Sequence, residues 1–229
     1  MIRKRLVVLT GAGISAESGI RTFRDMGGLW EEYDVMEVAS PEGWRKNPQL
    51  VLKFYNERRR QLSDVKPNLG HIALAEAEQD FIVNIITQNV DDLHERAGSS
   101  NILHLHGELK KVRSTANPNN ILDIGYSDIN WGDTCDKGYQ LRPHIVWFGE
   151  DVPAMSDAIK LAQSAEIFAV VGTSLNVYPA AGLVDYVPKC CPIYLVDPND
   201  VSVWRRDVTV IKEKASIGVP RMLKMIRDK

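Results

Sequence analysis

The stretch LTGAGISAESGIRTFRD, residues 9–25, decides the fold. It continues a β-branched run, RLVVLT, and then places Gly11, Ala12, Gly13, Ile14, Ser15 and Ala16 where G-x-G-x-x-G/A is expected between a strand and a helix start. Gly11 permits a tight turn, Gly13 lets backbone approach a pyrophosphate, and the helix start supplies amide donors and positive potential. The run then departs from an ordinary dinucleotide turn. A dehydrogenase half reaches its second strand, with an acidic ribose ligand, within about 30 residues, whereas here GIRTFRDMGGLW intervenes. We read that segment as a cofactor loop, with Phe23 and Arg24 near the nicotinamide end. An aromatic and an arginine there would crowd the open face that hydride transfer requires.

Outward from this turn, short apolar runs recur at RLVVLT, FIVNIITQN (81–89), EIFAVVGTS (166–174), PIYLVD (192–197) and VTVIK (208–212). Their pattern is that of buried parallel strands. Helical stretches lie between them, including HIALAEAEQ (71–79) and MSDAIKLAQSA (155–165). The expectation is an α/β fold: a doubly wound, mostly parallel, Rossmann-like sheet over about 1–26, 66–108 and 142–229. Two segments break the alternation, about 27–65 with the basic helix NPQLVLKFYNERRRQL and about 109–141, rich in Asn, Asp and Gly. They are expected to build a small inserted lobe on a single domain.

Composition narrows the function. The chain has 229 residues, with 28 basic against 30 acidic side chains and a net charge of -2, which gives no electrostatic footprint for nucleic acid. No run approaches the roughly 18 apolar residues of a membrane span, and the N-terminus reads as a first strand rather than a signal peptide. Cys135, Cys190 and Cys191 are too few and too poorly spaced for a disulfide framework, which suits a reducing cytoplasm.

Three further motifs stand in order: TQNVDDLHERAG (87–98), HLHGEL (104–109) and GTSLNVYPAAG (172–182), with RPHIVWFGE (142–150) between the last two. Together with GAGISAESGIRTFRD they resemble the sirtuins, NAD-dependent protein-lysine deacylases, and among them the bacterial class III type. The resemblance covers nearly the whole chain and is weakest over about 113–140. It implies NAD as cofactor and a reaction at the anomeric carbon of its nicotinamide ribose, giving nicotinamide, free lysine and O-acyl-ADP-ribose. Rival readings are a protein ADP-ribosyltransferase and a non-enzymatic NAD-sensing module.

Gln88, Asn89, Val90 and Asp91 follow a strand, so they sit at its carboxyl end, where open α/β sheets bind ligands. The resemblance gives Asn89 and Asp91 the nicotinamide region and Gln88 the ribose; the alternative, read from the residues alone, is a polar turn in which Asp91 or Asp92 caps the next helix. The resemblance makes His106 of the HG pair the general base, and its ordinary pKa suits that role. His104, two residues earlier, is expected to be structural, and His71, His94 and His144 ordinary core or surface residues. Gly172, Thr173 and Ser174 resemble a second phosphate-and-ribose contact. Asp197 stands where sirtuins usually have Asn at the adenosine ribose and would repel a 2'-phosphate. Ala215 or Ser216 matches the adenine-contacting turn.

On the substrate side, the resemblance implies that an acyl-lysine protein or peptide adds as a strand between IVWFGE and NVYPAA. Val146, Trp147, Phe148 and Gly149 would line its site, although HIVWF also reads as plain core. Tyr55 and Arg58, three apart on one helix face, match the pair by which class III sirtuins read an acidic acyl group such as succinyl. Sirtuins usually carry a structural zinc on two close cysteine pairs, and here Cys135 alone remains, with Ser114 near a first ligand position. We therefore expect no metal, a small lobe closed by Leu122, Ile124, Tyr126, Ile129 and Trp131, and a cytoplasmic monomer.

Overall fold

The computed structural model describes residues 3–20, 33–175, 177–201 and 207–228, so Phe23 and Arg24 lie outside the described residues. The strands β1 (Arg5–Thr10), β2 (Ile82–Thr87), β3 (Ile102–His104), β4 (Gly107–Ser114), β5 (Ile121–Asp123), β6 (Leu141–Ile145), β7 (Ile167–Val171), β8 (Ile193–Val196) and β9 (Val208–Ile211) form two sheets. Six make a parallel sheet in the order β3-β2-β1-β7-β8-β9. The chain winds from β1 toward β2 on one side and resumes with β7 on the other, so the strand order reverses between β1 and β7. That reversal opens a crevice at the carboxyl ends of these two strands, the usual ligand position of the architecture.

β1 shows why these runs are apolar throughout. Leu6 and Val8 enter one core with Ile14, Leu74, Val219 and Met222, contributed partly by the helices Leu69–Glu76 and Ala215–Arg227. Val7 and Leu9 enter the opposite core with Ala162, Phe168 and Leu183, under the helix Met155–Gln163 and the 3-10 turn Ala180–Tyr186. A strand covered on both faces has no solvent side for polar residues to occupy. The five expected strands and the helices between them are all present.

The small lobe packs the antiparallel sheet β5-β4-β6 on the long helix Pro48–Asp64. That helix starts where Pro48 needs no amide partner and the Asn47 side chain accepts from the Leu50 amide. Its sheet reaches from Gly107 to Ile145, beyond the expected 109–141 at both ends. Gly107 has φ +82, and a Cβ there would lie 2.0 Å from the His144 carbonyl oxygen. Only glycine lets the chain cross β6 so closely, and the crossing leaves His106 at the seam between the lobes.

The expected apolar closure is corrected. Ile129 is buried and Ile124 packs at the edge, but Leu122, Tyr126 and Trp131 are exposed. The core is instead Leu52, Val112, Ile129, Cys135 and Leu141. β5 is a short edge strand with every residue exposed, so the long helix and the inward face of β4 fill the interior. Cys135 belongs to that filling, its Sγ 3.4 Å from Ser114 Oγ. The run of three arginines divides between interior and solvent. Arg59 is fully buried, donating to the Leu109 carbonyl (2.7 Å) and Asn56 Oδ1 (2.7 Å), while Arg60 turns outward to Asp128. Burial pulls the Arg59 pKa down to about 10, so it remains a cation that ties helix to sheet.

Candidate active site

The crevice begins where two turns interlock. Gly11 N donates to the Val171 carbonyl (3.0 Å) and Gly13 N to the Gly172 carbonyl (2.8 Å). A Cβ on Gly11 would stand 2.6 Å from Thr173 Cβ, and one on Gly13 2.7 Å from Gly172 Cα. These glycines are therefore demanded by the crossing of the β1 and β7 turns as well as by any ligand. The helix that follows, Ala12–Ala16, is a single turn. It ends early and leaves Ser15 pointing into the crevice floor.

Ser15 is the hub of that floor. Its hydroxyl donates to Asp91 Oδ2 (2.9 Å) and accepts from Asn89 Nδ2 (3.1 Å), whose other contact is the Gly11 carbonyl (3.1 Å). His71, read from sequence as an ordinary histidine, reaches the same hydroxyl with Nε2 at 3.4 Å while its Nδ1 accepts from the Asn68 amide. Burial pushes the Asp91 carboxyl up to about 6, against the opposing pull of the Leu93 amide and the Ser15 hydroxyl. Asp91 Oδ1 accepts from the Leu93 amide just ahead of the helix Leu93–Ala97, whose N-cap, Asp92, makes no side-chain cap bond, while Oδ2 accepts from Ser15 on the crevice floor.

Above the floor, Gln88 and His106 face each other across the seam. His106 Nδ1 lies 3.0 Å from the Gln88 carbonyl oxygen. A carbonyl only accepts, so Nδ1 carries the proton and Nε2 keeps its lone pair. Burial lowers the ring's pKa despite that bond, which keeps it neutral at pH 7. Gln88 Nε2 donates to Thr173 Oγ1 (3.1 Å), joining the β2 and β7 turns. Val90 is half-buried, and its carbonyl accepts from the Leu109 amide (2.8 Å).

Two further expected positions lie after β8 and at the start of the C-terminal helix. Asp197, buried after β8, accepts from the Asn199 amide (2.9 Å). Ala215 is buried at the start of the C-terminal helix, whereas Ser216 is already engaged by Glu17 through both its amide and its hydroxyl. Of the two, Ala215 keeps the contact role open. Ser174 is exposed.

On the substrate side the residues part into two groups. Val146 is half-buried, and Phe148 and Gly149 are exposed, with open space beside Gly149. Trp147 points the other way, 2% exposed within the small-lobe core, and so takes the core reading of HIVWF. Its Nε1 donates to the Tyr55 hydroxyl (3.1 Å) and its ring carries the Arg142 guanidinium 3.3 Å from the centroid. Glu150 receives Arg142 at 2.8 and 3.1 Å, Arg113 at 3.1 Å and the Trp147 amide at 2.9 Å. Trp147 therefore supports Tyr55 from behind. Tyr55 and Arg58 are both buried on the inward face of the long helix, and burial pushes the Tyr55 hydroxyl well up, so it stays protonated.

Among the described residues, Glu95, His104 and Glu108 bring three donor atoms within reach of one ion, but they are already paired. His104 Nε2 meets Glu95 Oε1 at 2.7 Å, and Glu108 Oε2 meets Lys111 Nζ at 2.6 Å. We read the trio as an ion-pair network. Sequence reasoning passed over Thr87 and the Arg142–Glu150 pair and read His71 as ordinary and His104 as structural, pointing away from His106; that last expectation is corrected, since both rings meet the Gln88–Asn89 turn, as two residues so spaced in extended chain face the same way.

A family model described as the Sir2 family matches residues 11–179. An NAD-dependent protein deacylase of Bacteroides thetaiotaomicron is 54% identical over 97% of this chain and 98% of its own length. One of Helicobacter pylori is 61% identical over 86% of this chain and 83% of its own. Among solved structures, a Sir2 homolog–NAD complex has a TM-score of 0.87 at 40% identity, covering 98% of this chain and 90% of that one. A Sir2–p53 peptide–NAD+ complex has a TM-score of 0.80 at 30% identity, covering 98% and 94%.

Proposed function

The chain belongs to the Sir2 family, and we infer that it is an NAD-dependent protein deacylase that takes acyl groups from lysine side chains. The single observation that carries the chemistry is His106, a neutral imidazole locked with Nε2 as its acceptor and set at the seam beside Gln88, Asn89 and Asp91. The fit to NAD rests on the crevice itself: it lies at the switch between β1 and β7, is floored by backbone too tight for any Cβ, and carries amide, hydroxyl and carboxylate groups side by side. When bound, NAD supplies a ribosyl carbon that gives up nicotinamide and a ribose that carries the acyl group away.

The chain's own residues would then divide the work. Asn89 and Asp91, held by Ser15, grip the nicotinamide region, and an ionised Asp91 can accept from a carboxamide N–H. Gln88 and Thr173 hold the ribose side, with Gly11, Ala12, Gly13, Gly172 and Ser174 toward the phosphates. Asp197 takes the adenosine ribose and Ala215 the adenine. His106 Nε2 takes the proton of a ribose hydroxyl after the cofactor is seated. Preorganised positioning, not a strong acid or base, does most of the work.

The acyl-lysine peptide would add as a strand beside Val146, Phe148 and Gly149, where Phe148 and Tyr178 stand exposed. Tyr55 and Arg58 would receive an acidic acyl tail, because a buried phenol and guanidinium can bind a carboxylate with charge-assisted bonds. Among the described residues no helix is long and apolar enough to cross a membrane; a monomer acting on proteins of the cytoplasm is part of the proposal. The test is incubation with NAD and acetyl- or succinyl-lysine peptides, read by mass. Free lysine peptide with O-acyl-ADP-ribose supports deacylation, whereas ADP-ribose attached to the protein target, with the acyl group retained, would mean the transferase reading.

A further inference from the structure

His104 and His106 leave the same short segment, and each ring meets a consecutive peptide oxygen of the opposite turn. His106 Nδ1 holds the Gln88 carbonyl at 3.0 Å, and His104 Nδ1 holds the Asn89 carbonyl at 3.1 Å. The second ring differs in its other nitrogen. His104 Nε2 is 2.7 Å from Glu95 Oε1, an acceptor on the helix Leu93–Ala97. Both neighbours only accept, so both nitrogens carry protons and the ring is an imidazolium. Burial works against that charge, but the Glu95 hydrogen bond and charge outweigh it, with Glu108 adding to them.

We propose that His104 is a positioning residue: clamped by Glu95, it pins the Asn89 peptide and so aims the Asn89 side chain at the nicotinamide end of the crevice. The Asn89 amide nitrogen is fixed on the other side by Thr87 Oγ1 at 3.0 Å. With both flanking peptide groups held and Nδ2 committed to the Gly11 carbonyl and Ser15 Oγ, the side chain's remaining capacity is its acceptor oxygen. A charge-assisted bond to a peptide oxygen is about twice as strong as a neutral one. The charged and titratable groups facing His104 are Glu95 and His94 on the helix, Glu108 on β4, itself paired with Lys111, and Asp91 in the turn.

The proposal rests on the reading of Asn89 as a nicotinamide-side residue, and the test separates the two. Binding of NAD and of ADP-ribose, which lacks nicotinamide, is measured calorimetrically without acyl peptide for His104→Leu, His104→Asn, Glu95→Gln and Asn89→Ala. We expect His104→Leu to weaken NAD on the order of tenfold with ADP-ribose unchanged. His104→Asn, which keeps an N–H donor near the Nδ1 position, should recover most of that loss. Glu95→Gln, at an exposed position that does not threaten folding, should weaken NAD more at pH 8 than at pH 6, because the ring loses its counter-charge. If Asn89→Ala shifts NAD against ADP-ribose while His104→Leu and Glu95→Gln do not, the proposal is wrong and the Asn89 reading stands. If Asn89→Ala leaves the ratio unchanged, the Asn89 reading fails and the proposal falls with it.

Discussion

The Nδ1 of His106 donates to the peptide oxygen of Gln88 at 3.0 Å, so the same bond that orients the ring also decides which nitrogen can act as base. His106→Ala should keep NAD binding within about twofold while lowering deacylation by about 10²–10⁴-fold. Steady-state turnover beside calorimetric NAD titration checks both halves; near wild-type turnover would remove His106 from the mechanism.

Asp91 titrates near 6 because it is buried, and only its ionised form accepts hydrogen bonds with both oxygens. NAD affinity should therefore fall as pH drops below about 6, and Asp91→Asn should be weak and pH-independent over the same range. Labelled-nicotinamide exchange into NAD, followed from pH 5 to 8, reads the same group. Undiminished exchange in Asp91→Asn would end this assignment.

Arg58→Met should depress succinyl-lysine turnover by roughly tenfold or more, the scale of a lost charge-assisted pair, and leave acetyl-lysine turnover nearly intact. Trp147→Phe, which removes the donor to Tyr55, should move in the same direction by less. Equal losses on both substrates would show that the pair does not read a carboxylate.

Acid should destabilise the fold between about pH 6.5 and 4. His71, pulled down to about 4 by burial, and His94, His106 and His144, also lowered by burial, are neutral when folded and charge readily when unfolded. The unfolded chain therefore binds protons first as pH falls, which for His71 costs up to about 1.4 kcal/mol per pH unit over that interval. Asp91 has the opposite sign: its folded value of about 6 exceeds the unfolded 3.8, so it adds stability as pH falls through that interval. Urea unfolding at pH 7, 6 and 5 should show a falling midpoint, shallower in His71→Gln and steeper in Asp91→Asn.

The small lobe should not depend on metal. Leu52, Val112, Ile129, Cys135 and Leu141 close it by packing, so Leu52→Ala is expected to cost about 2–5 kcal/mol, whereas a strong chelator should change neither stability nor activity. Stoichiometric zinc in the purified protein, or activity lost to the chelator and restored by zinc, would overturn this.

The parallel sheet was legible in the sequence, because a strand buried on both faces must be apolar at every position, as Leu6, Val7, Val8 and Leu9 are. So were the turns at its carboxyl ends, where Gly11, Gly13, Asn89, Asp91 and His106 stand in motifs whose order the fold requires. The small lobe was less legible. Leu122 and Trp131 are as apolar as Leu52 and Val112, and nothing in a short edge strand's composition says which side will face water. Arg59 stands in a run of three arginines, and nothing in that run tells it from Arg60 until the Leu109 carbonyl and Asn56 meet it in the interior. Local pattern records which face an element wants to bury. It cannot record partners brought from distant positions, and the bonds of His71 to Ser15, Trp147 to Tyr55 and His104 to Asn89 exist only because elements far apart in the sequence pack side by side.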